Sequence, residues 1–449
     1  MLRVTIAGAS GYIGKNLIEA ISQDFRVKAL SRTLKKSEKN NIHWSTVDLF
    51  SYTSTAEALV DTDIAIYLVH SMLPSTKLFQ GSFHDTDLML ADNFAKACKK
   101  NKVKQIIYLS GIVPEGKISL HLESRKEVED IFLSTKIPCT VLRAGLVVGN
   151  GGSSFEILKN LVINLPAMVL PKWTQSKTQV IYIDDMIGII KESINSSKYF
   201  NQILNTTNGE NLTYKSLIEL VAKHVGKSPL FITVPINYSA FSKLWVTIFG
   251  QSQYELVSPL VDSLLCDFSK INSSSLVKDI IRYKDFKEML GKIDIKKQPA
   301  DKPRPKEVRV NSVRSIQRLA TETEFNASDV AKLYMDWLPS STNFIINVKK
   351  NKDITKFCLF GIFTLLELKY IPDAAMKDRA KFHVVGGLLT KTTDTGWLEF
   401  RSVSQSRFLI VSINEFIPSL PWSIYKFTQA PVHNYVMNRF GKYLVSLPK

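Results

Sequence analysis

Two short stretches carry residue types that could do chemistry. The first is GASGYIG at 8–14. Gly8 would permit a tight turn, Gly11 would let backbone approach a pyrophosphate, and Gly14 would let a helix pack closely on a strand; Ser10, Tyr12 and Ile13 would line the same turn. The second is HLESR at 121–125. Residues four apart share a helix face, so His121 and Arg125 should point the same way as Val128 and Phe132. Histidine can give up a proton near neutral pH, whereas arginine stays charged and offers a fixed cation. Ser110, at the end of the run KQIIYLS, is a third candidate. Tyr108 and Tyr182 are alternative acids by type, although tyrosines on strands more often belong to a core.

The surrounding pattern is what such a site needs. LRVTIA reads as a buried strand, the glycine turn follows, and Asn16 to Ile21 have helical spacing, so the free N–H groups of a helix start would meet the phosphates. The second strand, RVKAL, ends in Ser31 and Arg32, where an NAD-binding unit would place an acid on the ribose hydroxyls. Arg32, followed by Lys35 and Lys36, suits a 2′-phosphate and favours NADP(H) over NAD(H). Further strands are expected at 42–47, ending at Asp48, and at 64–69, 104–110 and 139–149. Asp48 would reach the adenine side, and His70 and Ser71 would border the ribose. Helices between them include one opened by a Ser54–Glu57 capping box, one opened by Ser153 and Glu156, and one capped by Asp184 or Asp185. LTYKSLIELVAKHVG should form a helix from Thr213 to a terminating Gly226. The fold class is α/β, a doubly wound Rossmann parallel sheet with a substrate lobe.

Composition narrows the function classes. The 449 residues suffice for more than one core, and 45% hydrophobic with 22% charged residues is ordinary for a globular chain. A net charge of +17 favours anionic partners, such as a phosphorylated cofactor or an anionic membrane surface, but no block of like charge points to nucleic acid. The most apolar runs, FCLFGIFTLLEL and FSKLWVTIF, are too short to span a bilayer, so no transmembrane segment is expected and only peripheral membrane contact is left open. Met1 leads straight into a strand, which points to a cytoplasmic protein. Cys98, Cys139, Cys266 and Cys358 have no paired spacing and should be buried thiols. The seven histidines form no metal-ligand pattern.

With GASGYIG, Arg32, Asp48, IIYLSG and HLESR in register, the chain resembles the atypical, extended short-chain dehydrogenase/reductases. More narrowly it is similar to bacterial NAD(P)H-binding proteins with a C-terminal DUF2867-type domain, through IIYLSGIVPEG, CTVLRAGLVVGNGGSSFE and SLPWSIYKFTQAPVHNYVMNRFGKYL. In the working members of that superfamily, a Ser ends the fifth strand and a Tyr-x-x-x-Lys pair opens the next helix. The resemblance places Ser110 at the first position, His121 at the Tyr and Arg125 at the Lys. Two readings stand: a reductase in which His121 is a substitute acid assisted by Ser110, or a non-catalytic NADP(H)-binding scaffold, sensor or assembly factor.

The Rossmann domain should cover 1–297, its substrate lobe occupying about 205–297. Trp173, Phe241, Trp245 and Tyr254 suit an apolar small-molecule substrate or plain packing. Residues 298–311, rich in Pro and Lys, read as a linker. The C-terminal domain, 312–449, should open with a helical stretch, then ASDVAKLYMDWLP, six strand-like segments and a terminal helix with Tyr435, Met437, Phe440 and Leu444 on its apolar face. Strand count and final helix look similar to an α+β START-like helix-grip domain.

Overall fold

The computed structural model describes residues 1–35, 40–72, 76–116, 118–235, 239–294, 310–321, 325–372, 378–393, 395–403 and 408–447. Lys36 and nearly all of the expected linker lie outside them. Two units emerge: residues 1–73 with 90–305, and residues 74–89 with 306–449.

In the first unit, seven strands form a wholly parallel sheet: β1 (Arg3–Ala7), β2 (Arg26–Ser31), β3 (Ile42–Thr46), β4 (Ile64–Tyr67), β5 (Gln105–Gly111), β6 (Cys139–Ala144) and β7 (Gln202–Thr206). Their order is β7-β6-β5-β4-β1-β2-β3. The order reverses between β1 and β4, and that crevice at the strands' carboxyl ends is where doubly wound folds bind ligands. Burial explains the composition: Ile64 to Tyr67 and Ile106 to Leu109 are all buried, as strands covered on both faces must be. Helix α1 (Tyr12–Ile21) packs Leu17, Ile18 and Ile21 into this core.

Local signals hold unevenly. The helix Tyr214–Val225 has Thr213 as N-cap and Gly226 in the left-handed region as C-cap, as expected. The helix Tyr52–Ala58 instead starts earlier, capped by the Ser51 hydroxyl. Ser153 does not cap the helix Ser153–Asn164; Gly152 is its N-cap, and Glu156 reaches back to the Gly151 N–H at 3.2 Å. Asp185 does not cap its own helix either, accepting N–H bonds from Arg282 (3.1 Å) and Tyr283 (3.2 Å).

The second unit is an eight-stranded sheet. Ile346–Asn351, Ile354–Leu359, Phe363–Ile371, Arg379–Gly386, Trp397–Ser402 and Phe408–Phe416 form an antiparallel meander, joined at its last strand by Val310–Ala320 and then by Thr76–Gln80. Val310–Ala320 replaces the helical stretch expected there. Its Arg, Gln, Leu and Ala tolerate a helix, but pairing with Phe408–Phe416 overrides that local preference. Thr76–Gln80 pairs parallel with it, an excursion that nothing local in the sequence announces. One sheet face packs Phe382, Leu398, Phe400 and Val411 against helices Ala327–Ser341 and Gln429–Ser446. On the last helix Met437, Phe440 and Leu444 are buried, but Tyr435 is exposed.

Candidate dinucleotide site and histidine pair

The glycine turn has the close contacts that its residue types imply. Gly8 has φ +84°, and a Cβ there would lie 2.9 Å from the Leu68 backbone just past β4. A Cβ on Gly14 would lie 2.5 Å from the Gly8 carbonyl oxygen. Gly11 donates its N–H to that same oxygen at 2.9 Å and is the N-cap of α1. No side chain caps this helix and no acid occupies its first turn, so its leading amides face the crevice with their dipole uncompensated. Ser10 and Ile13 are half-buried on the turn.

Tyr12 has a role that sequence reasoning missed. A Cβ on Gly149 would fall 2.2 Å from the Tyr12 hydroxyl, and one on Gly152 would fall 3.0 Å from its ring, so the segment GNGG at 149–152 is shaped around this tyrosine. Its hydroxyl is buried with no hydrogen-bond partner among the described residues. Burial, then the nearby Tyr182, Asp184 and Glu156, raise its pKa far above the usual phenol value. The glycine cluster was the available signal.

Arg32 is exposed just past β2, and Lys35 lies over the Trp44 ring at 5.0 Å. Asp48 directs its carboxylate to the Phe50 N–H at 3.1 Å, which stabilises its own turn.

The HLESR helix, α2 (Leu120–Ser134), is capped by Ser119 and buries Arg125, Val128 and Phe132. Phe132 stacks edge-on to Tyr67 and Tyr108 at 5.0 and 5.3 Å between ring centroids. At the start of the helix, His121 Nδ1 lies 2.9 Å from His70 Nε2. Two residues expected to serve different ends, a proton donor and a ribose contact, therefore form one pair. Ser71 follows, half-buried.

Arg125 is turned to the backbone. Its guanidinium donates to the carbonyl of Leu109 on β5 and to that of Val69, past β4, at 3.4 Å. It also lies 5.2 Å from the centre of the Tyr108 ring, and the Tyr108 hydroxyl donates to the Arg125 carbonyl at 3.3 Å. Arg125 thus ties together the ends of two strands and holds the backbone that carries His70.

Ser110 is not brought to His121 by its hydroxyl, which donates to Glu129 at 2.6 Å in a buried site. Glu129 is in turn held by Arg143 at 2.6 Å. Tyr108 and Ser110 lie on the same strand face, so both turn toward the middle of α2. The other candidate acid, Tyr182, is buried edge-on to Tyr283 at 4.6 Å, and burial raises its pKa to about 12. Of the aromatic residues expected to suit a substrate, Trp173 and Trp245 are buried, while Phe241 and Tyr254 are exposed. All four cysteines are buried, and no disulfide joins them. No cluster of metal-ligating side chains occurs among the described residues, and no helix among them is long and apolar enough to cross a membrane.

Comparison with known proteins agrees with this architecture. The auxiliary protein GraX of Staphylococcus aureus (strain NCTC 8325 / PS 47) is 37% identical over 111 residues, 24% of this chain and only 36% of that protein. The UDP-glucose 4-epimerase of Vibrio cholerae is 21% identical over 293 residues, 59% of this chain and 87% of that enzyme. Among solved structures, the Citrobacter sp. triphenylmethane reductase complexed with NADP(H) superposes with a TM-score of 0.51 at 15% identity, covering 65% of this chain and 99% of its own. The profile of the NmrA-like family matches residues 2–257, more than half of the sequence, and the chain belongs to that family of atypical short-chain dehydrogenase/reductase type.

Proposed function

We propose that the first unit binds NADP(H) and reduces a carbonyl or related small, apolar substrate, with the His70–His121 pair as proton donor. The observation that carries this reading is the 2.9 Å contact between the two rings. It lies two residues beyond Leu68, whose backbone abuts Gly8 in the phosphate-binding turn. The leading amides of α1 and Arg32 would hold the pyrophosphate and the 2′-phosphate. Bound NADPH supplies hydride chemistry. This chain contributes the proton: with one positive charge shared by the pair, His121 Nε2 releases a proton to the developing oxyanion while His70 Nε2 passes its own to His121 Nδ1, and both rings end neutral. Arg125 positions the His70 backbone and does not act as an acid. The NADP(H) complex of the triphenylmethane reductase supports the cofactor assignment, and a cytoplasmic setting suits both a nicotinamide cofactor and four cysteines that form no disulfide.

A second reading rests on Ser110. Its hydroxyl is engaged by Glu129, so the site lacks the serine of working relatives, as a cofactor-occupied scaffold or sensor would. We assign the second unit to the DUF2867 type as an accessory domain for an apolar ligand. The test is NADPH oxidation against a panel of carbonyl and quinone compounds, using wild type, His121→Ala and His70→Ala. General acid catalysis contributes about 10²–10⁴-fold, so turnover should fall within that range in His121→Ala while NADPH affinity stays within about threefold. Undiminished turnover in both variants would overturn the dyad; absence of turnover in wild type, with NADPH held, would establish the scaffold.

A further inference from the structure

The apolar run FCLFGIFTLL buries Phe357 and Cys358 but exposes its middle residues at one tip of the second unit's sheet. Phe360 (63% exposed) and Ile362 (75%) lie in a turn between strands, Phe363 (55%) opens the second of them, and Phe344 (65%) and Ile345 (47%) precede the neighbouring strand. The two segments meet: the Phe360 N–H donates to the Ile345 carbonyl at 2.7 Å, and the Lys349 ammonium donates to the Gly361 carbonyl at 2.8 Å. Leu388, 62% exposed, joins the same end through its N–H bond to Thr364 at 3.0 Å. Scattered exposed apolar residues need no explanation, but a contiguous set marks a contact surface.

The backbone adds a second argument. Phe344 and Phe360 hold φ of +58° and +51°, a region that side chains other than Gly and Asn enter at a cost. Either residue would be better served by Asn or Gly if the turn alone mattered. Burial does not offset that cost, since both rings point to solvent.

Charge identifies the occupant. Segments 343–348 and 357–366 contain no Asp or Glu, Lys349 bonds to the tip itself and Lys391 lies three residues past Leu388, while Lys350, farther along the strand, is paired with Asp336 at 2.6 Å. An apolar wedge with a basic collar matches an anionic lipid surface, where apolar side chains enter the headgroup boundary and ammonium groups remain among the phosphates. A second copy of the chain fits less well, because the adjoining edge strand Ile346–Asn351 carries Lys349 and Lys350, which resist edge-to-edge pairing.

We propose that this tip is a peripheral docking site for an anionic phospholipid bilayer. The full chain is to be sedimented with phosphatidylcholine vesicles, with and without phosphatidylglycerol, alongside the variants Phe360→Asn/Ile362→Ser and Lys349→Glu. The expected result is partition onto the anionic vesicles only, weakened by raised salt. The double variant should lose at least about a hundredfold, since each buried apolar side chain contributes about tenfold or more. Lys349→Glu should lose at least about fivefold. Unchanged melting temperature and NADPH binding in the variants would show that the fold is intact. Equal partition of wild type and double variant, absence of partition, or self-association of wild type that the double variant abolishes would each overturn the proposal.

Discussion

Replacing Gly14 by alanine tests the phosphate-binding turn without requiring knowledge of a substrate. The new Cβ would lie 2.5 Å from the Gly8 carbonyl oxygen and 2.7 and 2.8 Å from backbone atoms of Ala9. Ordinary contact begins near 3.4 Å, so α1 must withdraw by about 0.9 Å, the difference of 3.4 and 2.5 Å. Overpacking of this kind costs about 1–3 kcal/mol of stability. Withdrawal would also lengthen the proposed hydrogen bonds from the leading amides to a pyrophosphate, and each charge-assisted bond lost removes about 1.5–3 kcal/mol of affinity. Loss of two such bonds weakens NADPH by about 10²–10⁴-fold. Gly11→Ala, with 3.2 Å to the same oxygen, should fall between this variant and wild type. Gly291→Ala, which meets nothing within 4 Å, should bind as wild type does. Binding is read by calorimetry or NADPH fluorescence, with circular dichroism as the check on folding. A folded Gly14→Ala protein that binds NADPH within about threefold of wild type would refute the cradle, since that is well under one lost hydrogen bond.

Two further outcomes follow from named side chains. Arg32→Glu should weaken NADPH by about tenfold to a hundredfold, one charge-assisted contact, while leaving NADH unchanged or improved; equal loss of both cofactors in titration would dissociate Arg32 from the 2′-phosphate. His433, on the last helix, has its pKa lowered to about 4 by burial. Below an unfolded value of about 6.5 the unfolded chain binds a proton that the native ring refuses, so stability falls as pH drops from about 6.5 to about 4, by at most about 3.4 kcal/mol. Denaturant unfolding at either end of that window should show the loss in wild type and a flatter dependence in His433→Gln; parallel curves would exclude the ring as the cause.

How much of this was legible depended on the distance between partners. The glycine turn, the parallel strands and the inward face of α2 rest on spacing within a few residues, and these local rules resolved the elements. The pairing of His70 with His121 joins residues 51 apart, and each had been assigned a separate task, because nothing near either one announces the other. The same holds for Ser110, whose strand position suited catalysis but whose hydroxyl direction was decided by Glu129, one turn beyond Arg125. Val310–Ala320 failed for a related reason: its composition is compatible with a helix, and only its partner Phe408–Phe416 makes it a strand. Tyr12 was legible in principle, since four residues with three glycines at 149–152 require a large neighbour to pack against.

Arg125 explains why the histidine pair and the loss of lysine belong together. A lysine ammonium is a compact point charge, whereas a guanidinium presents a planar fork of donors that can span two acceptors. Here that fork reaches the Leu109 and Val69 carbonyls, and so fixes the last turn of backbone before His70. The donors of the guanidinium are thereby committed to backbone carbonyls. By residue type, a histidine can donate a proton near neutral pH without a lysine beside it. In the proposed mechanism Arg125, His121 and His70 act as one arrangement, in which the acid is positioned through the backbone beside it.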